Sequence, residues 1–380
     1  MINNSVCLVT NLSLAEEPTI ENRLTSYVNV LDRAGVRVSL ISSDKRAFEF
    51  SGPNSDSVEH HLVPLSNKSR SGKSNFLNRA FFEFNETRKI IKRIRDIQAK
   101  NVIVSIPSMF LLFNIRNLKG VNVTLDVRDI TWEYLSDKSV ITFIAKRLFR
   151  LWAKFCLRKI QNVVVTNHME EQYFASLGIP AYLCYNGVSK QQYNEITNRV
   201  NGFFSEKFTV TYCGKVGVAQ KLDVFIETAI KLPEVNFVVV GYGPDEERLR
   251  NKAIEIGATN VYFTGKVGWD EVLEYYSQAN ILYAQLDLDY LHAVPSKLYQ
   301  YLCTGKYVVF GGDGAGKELL SKFTNNTVVR PNDVDSLFGA LEHLHLESKY
   351  TPQFSLSNRE LILKSYIREN NVEVIVRDLL

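Results

Sequence analysis

The chain has little from which to build a metal centre or a disulfide framework. Its 380 residues include only five cysteines and six histidines. Cys7, Cys156, Cys184, Cys213 and Cys303 are scattered, odd in number and free of C-x-x-C spacing, and most lie in apolar runs. That pattern predicts buried free thiols in a reducing compartment rather than a stapled secreted domain. The histidines show no zinc-like spacing with cysteine or acidic residues, so no metal and no cofactor is expected. The start, MINNSVCLVTN, lacks the basic segment of a secretory signal and runs directly into strand-like sequence. The longest apolar run, near residues 102–113, is too short to span a bilayer. A soluble or peripheral cytoplasmic protein is expected.

Three nucleotide motifs are present only as fragments. Residues 311–318 read GGDGAGKE, but Glu318 stands where a phosphate-binding loop needs Ser or Thr for magnesium. Asp287-Leu-Asp289 has the spacing of a metal-binding acidic pair without a supporting acid nearby. Gly241-Tyr-Gly243-Pro follows a strong strand but lacks the third glycine of a dinucleotide fingerprint, and Thr10–Ser13, after the first strand, has no glycine at all. Each reads better as a turn than as a catalytic loop.

What the chain does have is a regular alternation of short β-branched runs with helical patterns. Strands are predicted at 6–10, 36–41, 102–105, 121–125 and 163–166, then at 208–213, 235–240, 261–263, 281–285 and 307–310. Nearly all are continuous apolar runs, as strands covered on both faces require. Two such series in 380 residues predict an α/β protein with two Rossmann-like domains, each a doubly wound parallel sheet. The polar stretch 189–206 marks the join, giving an N-terminal domain over 1–188 and a C-terminal one over 189–364. A ligand then belongs at the carboxyl ends of the strands, in a cleft between the sheets.

Charge is uneven. Residues 1–185 carry 25 basic against 17 acidic side chains, a surplus of +8, whereas the rest carries −4 and the whole +4. Helical patterns at about 76–97 and 139–160 hold much of the surplus. The first contains Arg88, Lys89, Lys92, Arg93 and Arg95; the second has six basic residues and no acidic one. In the second, Ile141, Ile144, Leu148, Trp152 and Phe155 form a stripe, with Arg147, Arg150, Lys154 and Arg158 on another face. Such helices suit an anionic membrane surface; the alternative is an apolar stripe in the domain core with its charges solvated. No RNA-binding aromatic motif or helix-turn-helix signal accompanies the charge, so nucleic acid is not expected.

Three pieces of the second half point to an anionic ligand. Cys213-Gly214-Lys215-Val216-Gly217, with Lys221 six residues beyond Lys215, offers glycines for close backbone approach and two lysines able to bracket a diphosphate, or else a solvated basic loop. The stretch AVPSKLYQYLCTGK (293–306) predicts a helix with Pro295 in its first turn and Gly305 as its stop. Its N–H groups at Ser296, Lys297 and Leu298 would be free for an anion. Leu298, Tyr301 and Leu302 would face the core; Lys297, Gln300 and Thr304 would share the polar side. The transition 263–267 is either a wall for a base edge or an ordinary turn.

Taken in order, CGKVGVAQKLD, VVVGYGPDEERL, VYFTGKV and PSKLYQYLCTGK resemble elements of the retaining family-4 glycosyltransferases of GT-B fold. LDVRDITWE, VVVTNHMEEQYF and YNGVS in the first half do so too. The combination is most similar to bacterial enzymes of O-antigen and capsule synthesis, and the resemblance spans nearly the whole chain. It implies metal-independent transfer of a sugar, with retention, from a nucleotide-sugar, commonly a UDP-sugar, to a lipid-linked saccharide at the inner face of the membrane.

It also implies roles. Lys215 and Lys221, with Gly214 and Gly217, would neutralise the diphosphate, and the loop and helix start Ala293, Val294, Ser296, Lys297 and Leu298 would wrap it. Val267 would adjoin the base. The family keeps two glutamates eight positions apart, where this chain has His292 and Gln300; the second would meet the ribose and the first the sugar. Asp129, beside Arg128, would orient the acceptor hydroxyl in the N-terminal domain. The C-terminal helix, about 365–380, would pack back on that domain. The alternative is a degenerate member that binds without transfer.

Overall fold

The computed structural model describes residues 5–14, 17–44, 58–64, 76–106, 108–133, 140–202, 205–348 and 354–379. The chain divides into two compact units, Met1–Asn186 with Arg368–Leu380, and Gly187–Ile367.

Unit 1 runs β1 (Ser5–Thr10), α1 (Pro18–Arg33), β2 (Arg37–Ser42), β3 (Val58–Leu62), α2 (Phe76–Asp96), β4 (Asn101–Ile106), α3 (Met109–Ile115), β5 (Asn122–Val127), α4 (Val140–Leu157), β6 (Asn162–Val165), α5 (His168–Ser176) and β7 (Ala181–Leu183). Its seven strands are all parallel, in the order β3-β2-β1-β4-β5-β6-β7. Alternate residues of each strand serve opposite faces. In β1, Cys7 and Val9 join one core with β4, β5, α2, α3 and α4, while Val6 and Leu8 join another under α1. The same alternation in β5 sends Val123, Leu125 and Val127 into the first core and leaves Thr124 and Asp126 on the α1 side.

Unit 2 runs α6 (Lys190–Arg199), β8 (Thr209–Cys213), α7 (Asp223–Lys231), β9 (Asn236–Val240), α8 (Glu246–Glu255), β10 (Val261–Gly265), α9 (Trp269–Gln278), β11 (Ile281–Gln285), α10 (Ser296–Thr304), β12 (Tyr307–Gly311), α11 (Ala315–Leu320), β13 (Asn326–Val329), α12 (Val334–Ser348) and α13 (Leu356–Ser365). Six parallel strands lie in the order β10-β9-β8-β11-β12-β13. The final helix, α14 (Arg368–Leu379), returns to unit 1, where it lies on α1 with Val372 and Ile375 fully buried.

Two Rossmann-like parallel sheets are thus what the alternation predicts. Three strands escaped that reading: β3 (VEHHL), β7 (AYL) and β13 (NTVV). All three are edge strands, which have a neighbour on one side only and are kept short or polar.

Helix α4 bears on the two readings of its apolar stripe. The face it buries is Ala153, Cys156 and Leu157, with Phe149 and Trp152 packed against the core. Ile144, Leu148 and Phe155 from the expected stripe are exposed, joined by Phe143 and Leu151. Residue 139 and the side chain of Ile141 lie outside the described residues. Helix α4 therefore has two apolar faces, one in the core and one in solvent.

Candidate functional site

The loops at the carboxyl ends of β8 and β9 in unit 2 are stacked on one another through glycine. Gly214 and Gly241 have φ of +139° and +130°, values that side-chain-bearing residues rarely adopt. A Cβ on Gly241 would lie 2.1 Å from the Gly214 carbonyl oxygen, and one on Gly243 2.1 Å from that of Val216. The two loops zip together, Gly214 N–H donating to Val240 O at 2.8 Å and Val216 N–H to Tyr242 O at 2.9 Å. The G-Y-G fragment is therefore a seat for the β8 loop, which is why it lacks the rest of a dinucleotide fingerprint. The glycine-rich turn after β12 acts similarly: Ala315 N–H donates to Leu291 O at 2.8 Å and Gly314 leaves no room for a Cβ there. It braces the loop that carries His292, Ala293 and Val294.

Lys297 enters this stack from the first turn of α10. Its Nζ lies 3.7 Å from the centroid of the Tyr212 ring and 2.7 Å from where a Gly214 Cβ would stand. That nitrogen is out of contact with solvent and has no hydrogen-bond partner. Burial pulls its pKa down from 10.5 to about 7, with the neighbouring Cys213 acting weakly the other way. Tyr212 turns its hydroxyl away, donating to Lys215 O at 2.5 Å. Tyr301, from the next turn of α10, both accepts from Cys213 N–H (2.8 Å) and donates to Cys213 O (3.0 Å), locking the helix to the end of β8.

The structure changes several expectations for this helix. Pro295 is the cap residue rather than part of the first turn, and Leu298 N–H donates back to Pro295 O at 3.0 Å. That leaves the N–H groups of Ser296 and Lys297 at the open end. Lys297, Gln300 and Thr304 do not share a solvated side. The Lys297 ammonium is buried, Gln300 is half-buried with its Oε1 accepting from Tyr276 at 3.1 Å, and Thr304 is fully buried, donating to Tyr301 O. Lys215 is exposed. Lys221 sits in a left-handed conformation, φ 44°, with Nζ 3.9 Å from Asp287 Oδ2. Asp287 also caps its own turn by accepting from Asp289 N–H. Gly217 N–H donates to Gln220 Oε1, and Val267 is half-buried just beyond β10.

Unit 1 gathers a second polar group at the carboxyl ends of its strands. Asp126, on β5, is fully buried and gripped by Arg23 of α1 through Nε (3.0 and 3.2 Å) and Nη2 (2.5 Å). Arg23 Nη1 also donates to the carbonyls of Cys184 and Tyr185. Glu170, on α5, accepts from Thr166 N–H and Oγ1 at 2.8 Å each; burial raises its pKa to about 8, so it holds a proton at neutral pH. Arg128 and Asp129 are half-buried just past β5. Neither Arg23 nor Glu170 was singled out from the sequence. Glu170 lies within the stretch VVVTNHMEEQYF, three residues after Asn167, which caps α5 by accepting from Glu170 N–H.

Residues 207–347 match the family described as "Glycosyl transferases group 1". A 217-residue stretch is 22% identical to the uncharacterized glycosyltransferase MJ1069 of Methanocaldococcus jannaschii, covering 54% of this chain and 51% of that protein, so the chain spans about half the length of this curated relative. Among solved structures, sucrose-phosphate synthase from Thermosynechococcus elongatus superposes with a TM-score of 0.75 at 11% identity, over 98% of this chain and 97% of that one. HepE of Anabaena, in complex with UDP, gives 0.70 at 12% over 99% of each chain. WaaG, a glycosyltransferase of lipopolysaccharide biosynthesis, gives 0.70 at 14% over 98% and 99%. These likenesses establish the fold as GT-B, and the family match places the group 1 glycosyltransferase signature in unit 2.

Proposed function

We propose that this chain is a metal-independent glycosyltransferase. Unit 2 takes a nucleotide-sugar, a UDP-sugar first of all, and unit 1 a lipid-linked saccharide, and the sugar is transferred with retention during surface polysaccharide synthesis. The observation that carries the reading is Lys297: a buried ammonium over the Tyr212 ring with no hydrogen-bond partner, under a glycine loop and beside the open N–H groups of a helix start. A diphosphate supplies the acceptors this arrangement lacks.

As the bond from sugar C1 to the diphosphate oxygen breaks, negative charge collects on the departing phosphate. Lys297, the Ser296 and Lys297 N–H groups, and Lys215 at the rim stabilise it. Lys221 joins by exchanging Asp287 for phosphate. Gln300, its Oε1 held by Tyr276, presents its amide N–H to a ribose hydroxyl. His292 meets the sugar, and Asp129 orients the acceptor hydroxyl. The UDP complex of HepE and the part WaaG plays in lipopolysaccharide biosynthesis support the donor and pathway class. Retention rests on the order of motifs shared with retaining enzymes.

Membrane contact is supported by α4, whose exposed Phe143, Ile144, Leu148, Leu151 and Phe155 stand among Arg147, Arg150 and Arg158. On α2, Arg88, Lys89, Lys92 and Arg95 line an open groove of about 500 Å³ with Asn114 and Asn117. Together they suit the inner, anionic face of a cell membrane.

The test is transfer itself. With UDP-sugars and a membrane lipid extract, the protein is expected to release UDP and to label a lipid-linked saccharide. The product should keep the donor's anomeric configuration by NMR, and chelator should not stop turnover. Binding without turnover across a broad donor and acceptor panel would instead favour a degenerate binder, the reading motivated by Gln300 and His292.

A further inference from the structure

Two arginines stand on the same side of β5 in unit 1, and only one is satisfied. Arg23 donates to both oxygens of Asp126 and to two backbone carbonyls. Arg128, two residues beyond Asp126, has Nε and Nη1 shut off from solvent, and neither donates to anything. Among the described residues no carboxylate lies within salt-bridge distance of it. The charges that act on it are those of Arg23, Asp129, Asp126 and Glu17. Burial, and after it the like charge of Arg23, pull the Arg128 pKa below its usual value against the weaker pull of Asp129, Asp126 and Glu17, and Asp126 is already committed to Arg23. A guanidinium nevertheless stays charged at neutral pH, so the charge cannot be shed as a lysine's can.

Buried polar groups in native proteins are nearly always paired, and an exception asks for a missing partner. The position of this one indicates what is missing. Arg128 sits at the carboxyl end of β5, the edge where parallel α/β sheets take ligands. The topology brings to that edge the ends of β1 and β6 as well, where Asn11 Oδ1 and Glu170 Oε1 are also buried without hydrogen-bond partners. Arg128 offers charged donors, Asn11 an acceptor, and Glu170, holding its proton, does not repel an anion.

We propose that unit 1 has an anion site of its own at Arg128, which takes a phosphate or carboxylate group carried by the ligand of this unit, with Asn11 and Glu170 meeting neighbouring hydroxyls. The site stands on unit 1 alone. Its extension, that the acceptor saccharide is itself anionic, rests on the transferase reading.

The site is tested by calorimetry on the full chain in the Lys297→Ala background, so that phosphate held by unit 2 does not contribute. Inorganic phosphate probes one source of the anion and glucuronate the other. The Lys297→Ala protein is expected to bind at least one of them, and the Lys297→Ala/Arg128→Gln protein to bind it at least tenfold more weakly. Arg128→Lys, which keeps the charge, should fall between the two. Equal affinity with and without Arg128, or no binding of either probe to the Lys297→Ala protein, overturns the site. UDP titrated into the wild type reads the donor proposal separately, so the two can fail independently.

Discussion

Burying an ammonium with no hydrogen-bond partner costs several kcal/mol unless the group sheds its proton. Lys297 does so in part, its pKa falling to about 7 against 10.5 in the unfolded chain. Between those values the unfolded chain binds more protons than the folded one, so this residue makes stability rise with pH from about 7 upward. Its full destabilising effect is present below that. Lys297→Met should therefore stabilise the ligand-free protein at neutral pH, by about 1–3 kcal/mol in urea unfolding, while weakening UDP binding at least tenfold. A diphosphate favours the charged form, so wild-type affinity for UDP should drop as pH rises through 7. Calorimetry in buffers of different ionisation enthalpy should show proton uptake on binding at pH 7.5. Absence of uptake would remove Lys297 from the phosphate site. The sequence made Lys297 visible as a cation at a helix start but not its burial, because a helical wheel does not show that the Gly214 loop lies over that face.

At the scale of elements, glycine spacing was the most informative signal and the most easily misassigned. Gly241 and Gly243 carry part of a dinucleotide spacing but read as a turn, and in the structure they seat the 214–217 loop of another strand. Gly243→Ala would press a methyl group against Val216 O, where only 2.1 Å is available. A loss of about 1–3 kcal/mol is expected, with UDP affinity falling as the 214–217 loop shifts. Gly339, exposed within α12 with nothing within 4 Å of a Cβ, is the control: Gly339→Ala should stabilise by about 0.5–1 kcal/mol. Equal effects of the two changes would show that the loops are not stacked as described. Helix α4 teaches a related lesson. Periodicity reports that a helix has apolar residues at regular spacing, and with two apolar faces it cannot say which one the core takes. Leu148 and Leu151 are 61% and 67% exposed, so the pair Leu148→Glu and Leu151→Glu should leave stability nearly unchanged. The variant should remain in the supernatant when the wild type sediments with vesicles rich in phosphatidylglycerol. Undiminished sedimentation of the variant would return α4 to the role of a solvated surface helix.

At the scale of the molecule, two parallel sheets with like strand orders were legible because strands covered on both faces must be continuously apolar. What could not be read locally is how the chain is shared out. Unit 1 is closed by a helix more than 180 residues away in sequence from its last strand, and nothing in α14 by itself says which sheet it joins. The packing supplies the answer. Val372 and Ile375 complete the core under α1, and Arg368, fully embedded, donates through Nε to Asn186 O at 2.5 Å and through Nη1 to Asn22 O at 3.1 Å. Arg368 thus ties α1 to the segment that follows β7, and Arg23, one residue on from Asn22, carries the buried pair with Asp126. Removing residues 368–380 would uncover the apolar face of α1 and loosen that pair, a loss of about 3–5 kcal/mol from two large buried side chains and their cavity. Hydrogen exchange followed by mass spectrometry should then show faster exchange in α1 and β2, with β8 to β12 of unit 2 as protected as in the full chain. Protection of α1 that survives the truncation would mean that unit 1 is complete without α14, and that Arg368 is not what holds the Asn186 turn against α1.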